Sequence, residues 1–211
     1  MAKGKIAIIG DGNVGTNLKK GLERTGYEVR SVGKEPDKVR ELAKWGECII
    51  LAVPPNEIDS AVKEMGDGFK GKVVIDPSNI VDASYDFAGD VDRSGAEKLQ
   101  AQLRDAQVVK AFNTVFAENM SDGKASGETL TLFYAGNDDK AKKQVREMGE
   151  ALGFDPVDAG PLSNARWLET LGFLNITLGY KQEMGTDIGF RLVHPDAKTE
   201  RPTEMAASQR A

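Results

Sequence analysis

Apolar residues open the chain in a short unbroken block, Ile6-Ala7-Ile8-Ile9. Past Gly10 the period changes, and Val14, Leu18 and Leu22 recur every four residues. An unbroken apolar block is the pattern of a strand buried on both faces, and four-residue recurrence is the pattern of one helix face. This alternation repeats down the chain. Strands are expected at 5–9, 27–32, 48–53, 72–76, 107–111, 129–135 and 154–159. Helices are expected at 13–25, 37–44, 94–104 and 138–152, with another capped by Asn56 and running to Met65. The 138–152 helix turns Ala141, Val145, Met148 and Leu152 inward and mixed charges outward. Residues 83–93 have no period and read as exposed loop, and the polar, glycine-containing residues 119–128 as a mobile loop. Strands alternating with helices through short loops specify an α/β fold with a doubly wound parallel sheet and right-handed crossovers.

Residues 161–183 break the rule. Trp167, Leu171, Leu174 and Leu178 share one helix face, and Phe173, Ile176 and Tyr180 lie nearly opposite. A surface helix carries one apolar stripe. Two stripes imply burial on both sides, by the protein's own core and by a second subunit or a bound planar ligand, or else a fully internal helix. Residues 187–193 are expected as a last strand. From His194 onward the chain is polar and reads as a tail.

Composition narrows the possibilities only a little. At 211 residues, 40% apolar and 29% charged, the chain is an ordinary globular one. Its net charge of −5 gives no reason to expect a nucleic-acid partner. No apolar run reaches membrane-span length and no signal-peptide pattern precedes the first strand, so a cytoplasmic setting without a membrane partner is expected. Cys48 is the one cysteine, which rules out an internal disulfide, and its apolar neighbours mark it as a buried core residue.

The chemistry lies in Gly10-Asp11-Gly12-Asn13-Val14-Gly15, placed between a strand and a helix. This is the phosphate loop of a dinucleotide-binding Rossmann fold. Its glycines permit a tight turn, close approach of a pyrophosphate and close helix–strand packing, and the helix N-terminus favours the anion. The second strand ends without an acid, in Gly33, and Lys34 and Lys38 follow, within reach of a 2′-phosphate. That favours NADP over NAD. Glu35, about 20 residues past the motif, is the contrary sign. The strand ends at Ala52-Val53-Pro54 and Ser78-Asn79 fall on the same carboxyl edge as the glycine loop. Lys110 is the one obvious lysine near that crevice. His194 is the only histidine, and no Tyr-x-x-x-Lys pattern occurs. A reaction needing little side-chain acid/base help, such as hydride transfer between two preassembled cofactors, suits this inventory.

With Val109-Lys110-Ala111-Phe112-Asn113-Thr114, Ala135-Gly136-Asn137-Asp138 and the run from Asp158 to Arg166, the glycine motif resembles the NADPH-dependent F420 reductases (F420H2:NADP oxidoreductases). The resemblance extends to about Val193. It implies an NADP-binding Rossmann domain at 1–160, a C-terminal helical extension and last strand at 161–193, a tail at 194–211, and a homodimer. It also implies an enzyme passing hydride directly between NADP(H) and F420 or a flavin. Carried over, Gly10 to Gly15 hold the pyrophosphate, and Gly33, Lys34 and Lys38 surround the 2′-phosphate. Ala52, Val53, Pro54, Ser78, Asn79 and Asn113 through Ala117 surround the nicotinamide. The chain departs from the family twice. The segment between the second strand and Cys48 is short by about one strand and one helix, trimming the sheet edge. Asn113 also stands where the F420 reductases carry histidine, which leaves flavin or another acceptor open. The alternatives are a small-substrate NADP-dependent dehydrogenase using Lys110 as acid/base, and a non-catalytic dinucleotide-binding redox sensor.

Overall fold

A computed structural model describes residues 3–82, 84, 86, 88 and 92–193. His194, the tail and much of the 83–93 segment lie outside the described residues. The order is β1 (Lys5–Ile9), α1 (Asn13–Arg24), β2 (Glu28–Val32), α2 (Pro36–Trp45), β3 (Cys48–Leu51), α3 (Ile58–Met65) and β4 (Val73–Asp76). Then come α4 (Gly95–Gln102), β5 (Gln107–Ala111), a two-stranded hairpin β6 (Lys124–Ala125) and β7 (Glu128–Thr129), β8 (Thr131–Gly136), α5 (Asp139–Leu152), β9 (Asp155–Asp158) and α6 (Ala165–Ile176).

Seven strands form one sheet in the order β2-β1-β3-β4-β5-β8-β9. Successive residues point to opposite faces, so the apolar blocks feed two cores. Ile6, Ile8, Cys48 and Ile50 pack under α1 and α5, among Leu18, Leu22, Val145 and Met148. Ala7, Ile9, Ile49 and Leu51 pack under α2, α3 and α4, among Val39, Met65 and Leu99. Cys48 is fully buried, as its neighbours imply, and burial pushes its thiol up to about 12. Helix ends follow local chemistry. Ser94 and Glu97 form a reciprocal capping box on α4, and the Asp138 carboxylate accepts from the Ala141 N–H at the start of α5.

Several expectations are corrected. The sheet is not wholly parallel, because β5 and β8 pair antiparallel. No α-helix separates them, only a 3-10 turn and the β6–β7 hairpin, and an antiparallel return needs no crossover. Asn56 caps nothing: it lies in a 3-10 turn, Pro55–Glu57, ahead of α3. Residues 119–128 are not a bare loop. Met120 and Ala125 are buried in the core, β6–β7 forms within the segment, and Asn119 donates to the carbonyls of Thr186 (2.9 Å) and Ile188 (3.3 Å). Residues 187–193 form no strand, though the Thr131 N–H donates to the Phe190 carbonyl at 2.9 Å. Finally, α6 is neither fully internal nor buried along the two predicted stripes. Its buried residues are Ala165, Leu168, Glu169, Gly172 and Asn175, while Trp167 is 62% and Leu174 47% exposed.

Candidate functional site

At the carboxyl edge of the sheet the glycine loop separates two clefts. One, of about 370 Å³, is lined by Gly10, Asp11, Gly33, Lys34, Val53 and Glu57. The other, of about 380 Å³, is lined by Gly12, Asn13, Val14, Ala52 to Pro54, Ser78, Asn79, Asn113, Val115 to Ala117, Asn175, Ile176 and Tyr180. Residues read from five separate stretches of sequence therefore converge. They do so because parallel strands β1, β3 and β4 and strand β5 all end on this edge.

The three motif glycines have three different reasons. Gly10 adopts φ +109°, and a Cβ there would lie 2.0 Å from the Ala52 carbonyl oxygen. A Cβ on Gly15 would lie 2.0 Å from the Gly10 carbonyl oxygen, so α1 sits directly against the loop. A Cβ on Gly12 would meet nothing within 4 Å. That open space lies at the N-terminus of α1, which has no side-chain cap and no acid in its first turn. A helix end left open in this way, with its dipole facing a cleft, suits an anion. The loop thus fits a dinucleotide pyrophosphate.

Beyond the loop the two lysines part company. Lys34 lines the first cleft and pairs with Glu57 at 2.7 Å, which raises its pKa. Lys38 pairs with Glu35 at 2.5 Å, and both line a separate depression with Arg30 and Trp45. Lys38 and Glu35 thus line a different depression from Lys34. The carboxylate that does compete for Lys34 is Glu57, which the sequence reading passed over. Strand β2 is the sheet edge beside this cleft.

The second cleft is built on a buried ionic cluster. Lys110 is fully buried and donates to Asp76 (3.0 Å), Glu169 (3.0 Å) and the Ser78 carbonyl (2.6 Å). Burial works against its charge, but Asp76 and Glu169 outweigh burial and hold its pKa above the usual lysine value. Asp76 also accepts from the Ser78 N–H (2.9 Å) and hydroxyl (2.6 Å). Glu169 further accepts from the N–H groups of Gly95 (3.1 Å) and Ala96 (3.3 Å) at the start of α4. Lys110 is thus a structural tie under the Ser78 turn, not a group open to substrate. Asn113 donates to Asn79 Oδ1 (2.9 Å) and the Leu168 carbonyl (2.7 Å), while Asn79 donates back to the Asn113 carbonyl (2.5 Å). Helix α6 approaches closely enough that a Cβ on Gly172 would fall 2.3 Å from Asn79 Oδ1. Just before Asn113, Phe112 holds φ +70°, a strained conformation of the kind that collects at functional sites.

Glu169 and Asn175 belong to this framework and were missed in the sequence. Their signal was a polar residue three positions to either side of Gly172, inside a segment otherwise read for its large apolar side chains. Among the described residues lining the second cleft, the ionisable side chains are Glu118 and Tyr180.

Comparison with known proteins agrees with this geometry. Residues 5–80 match the family model described as NADP oxidoreductase coenzyme F420-dependent. The chain is 29% identical over 174 residues to the F420-dependent NADP reductase of Methanocaldococcus jannaschii, covering 79% of this chain and 76% of that protein. It is 30% identical over 180 residues to the metalloreductase STEAP3 of Rattus norvegicus, covering 79% of this chain but only 36% of that one. A crystal structure from Arthrobacter sp. FB24, proposed to be an F420-dependent NADP reductase, superposes with TM-score 0.83 at 26% identity, covering 90% of this chain and all of that one. The resemblance read from the sequence is borne out, and so is the Rossmann-like α/β fold. No helix among the described residues is long and apolar enough to cross a membrane.

Proposed function

We propose that this chain, an NADP-dependent oxidoreductase by its likeness to F420-dependent NADP reductases, passes hydride directly between NADP(H) and F420 or a flavin. One observation carries the reading. The cleft beside the glycine loop is walled mainly by apolar and amide groups, with Glu118 and Tyr180 as the ionisable side chains among the described lining residues, and Lys110 is locked away beneath it. Positioning and water exclusion are what such a cleft offers. Gly10 to Gly15 would hold the pyrophosphate at the start of α1. Gly33 and Lys34 would meet the 2′-phosphate, with Glu57 released from Lys34. Ala52 to Pro54, Ser78, Asn79 and Asn113 would form the nicotinamide floor, and Ala117, Ile176 and Tyr180 the side open to the acceptor. Bound NADPH would supply the hydride from its dihydronicotinamide ring. The protein's share is to keep the Ser78–Asn79 turn and the Asn113 backbone in one geometry, through Asp76, Lys110 and Leu168.

The test is to mix the protein with NADPH and either F420 or free flavin and follow both chromophores. Stoichiometric loss of both absorbances is expected, and no turnover with any acceptor overturns the reading. The same reading includes a homodimer through the exposed face of α6 that carries Trp167 and Leu174. Sedimentation should give twice the chain mass, and Trp167→Glu should return it to the monomer. A wild-type monomer at tens of micromolar would remove that part.

A further inference from the structure

Beneath the second cleft the fold leaves one charge uncompensated. Asp76, Lys110 and Glu169 are 1%, 0% and 2% exposed, and they combine two carboxyl groups with one ammonium. Asp76 Oδ1 accepts from the Ser78 N–H and hydroxyl, and Oδ2 from Lys110. Glu169 Oε1 accepts from Lys110 and the Ala96 N–H, and Oε2 from the Gly95 N–H. A proton on any of these oxygens would face the ammonium or a backbone N–H, so both groups are carboxylates and the cluster is negative by one charge. The N-terminus of α4 offsets part of it, by roughly half a charge. No other lysine or arginine is buried among the described residues. The same sign recurs at Asn113, which lines the cleft and is 3% exposed. Its amide donates to Asn79 and Leu168, which fixes its orientation and leaves Oδ1 buried without a partner.

This excess stands one hydrogen bond below the proposed nicotinamide floor, since Asp76 and Lys110 both bond to Ser78, and Ser78 lines the cleft. The nicotinamide ring is a pyridinium cation in NADP+ and an uncharged dihydropyridine in NADPH, while the phosphates are the same in both. Positive charge on that ring would meet the unbalanced negative charge across buried protein, where charges interact more strongly than in water. We infer that the Asp76–Lys110–Glu169 cluster is the counter-charge for the oxidised nicotinamide ring. Its residues are then electrostatic positioning groups of the hydride-transfer site as well as a tie in the fold. The inference rests on the nicotinamide placement in the reading above and deepens it. NADPH, the oxidised acceptor and one solvent proton give NADP+ and the dihydro acceptor, and both electrons travel with the hydride. Positive charge builds on the nicotinamide as the hydride leaves, and the return reaction runs through the same transition state. The cluster therefore stabilises that state in either direction, whichever planar acceptor lies opposite.

The experiment measures the dissociation constants of NADP+ and NADPH by calorimetry on the full chain, with no acceptor present. Their ratio isolates the ring charge, because every other charge cancels. In the wild type NADP+ should bind at least as tightly as NADPH. Glu169→Gln nearly keeps the side-chain shape, leaves Lys110 paired with Asp76 and neutralises the cluster, so NADP+ should weaken relative to NADPH by about fivefold or more. Asp76→Asn should shift the ratio the same way, and stands in where Glu169→Gln does not fold. The shift should persist near about 1 M salt, because buried charges are screened little. Glu118→Gln, at the exposed rim, should change the ratio by about twofold or less and lose that effect in salt. Tighter binding of NADPH than of NADP+ in the wild type overturns the inference, and so does a ratio that no folded cluster variant moves. Either result beside turnover with F420 or flavin leaves the hydride-transfer reading intact. A cluster-dependent ratio without turnover on any acceptor supports the counter-charge and overturns the hydride-transfer reading alone. Binding of neither nucleotide removes both.

Discussion

A Cβ at Gly10 and a Cβ at Gly12 meet opposite fates, and that contrast separates folding from binding within three residues. At Gly10 the methyl of alanine would lie 2.0 Å from the Ala52 carbonyl oxygen, in a backbone with φ +109°. Strain and overlap act together, so Gly10→Ala should lose about 2–4 kcal/mol or fail to fold. At Gly12 the backbone is ordinary, φ −72°, and the methyl enters open space. Gly12→Ala should therefore cost less than about 1 kcal/mol, the difference between glycine and alanine at a helix N-cap. It should still weaken NADP+ binding about tenfold or more, because that space is where a pyrophosphate approaches the loop. Denaturant unfolding and a nucleotide titration on the two variants give the comparison. Unchanged NADP+ affinity in a folded Gly12→Ala chain would remove the phosphate from this position.

Helix α6 shows where sequence pattern stops speaking for structure. Its large apolar residues suggested two stripes, yet the buried stripe is Ala165, Leu168, Glu169, Gly172 and Asn175. Apolar periodicity reveals a face only when that face meets an apolar core. This one meets the amides and the ion cluster under the Ser78 turn, so apart from Leu168 it is small or polar, and exposed Trp167 and Leu174 project elsewhere. Strands β1, β3 and β5 were legible for the complementary reason: they are buried on both faces by aliphatic side chains, and the helices above them carry ordinary stripes. The Lys110 cluster ties α6 to β4, β5 and the start of α4. Lys110→Met leaves two carboxylates buried without their cation and should cost about 3–5 kcal/mol. Adding Glu169→Gln should recover part of the loss, since one uncompensated charge goes with it. The pH sense follows from the raised pKa. The folded chain holds this proton more tightly than the unfolded one, whose lysine titrates near 10.5. The lysine's contribution is complete below that value and is lost only as pH rises through the higher folded pKa. The gap between wild type and Lys110→Met should thus stay constant across the neutral range and close only in strong alkali. A gap that closes near neutrality would show that Lys110 is not charged in the fold.

At the scale of the whole molecule, the glycine loop stands between two clefts, and the ligand proposed for it touches the ends of β1, β2, β3, β4 and β5 together. Binding should therefore stabilise the sheet as one unit, and Cys48 is placed to report it. The residue is fully buried on β3, which is hydrogen-bonded to β1 on one side and β4 on the other. Burial pushes its thiol up to about 12, so in the folded chain the reactive thiolate is scarce as well as inaccessible. Labelling by a thiol reagent must then pass through an opening that parts the sheet centre, and its rate follows the free energy of that opening when closing is fast. A ligand that binds only the closed form at about 100 times its Kd adds about 2.7 kcal/mol to that opening, which slows labelling about a hundredfold. NADP+ should produce this slowing in the wild type and only about tenfold slowing or less in Gly12→Ala at the same concentration. If NADP+ binds by direct titration and yet leaves the labelling rate unchanged, Cys48 is reached through a local opening. The five strand ends would then not act as one cooperative unit.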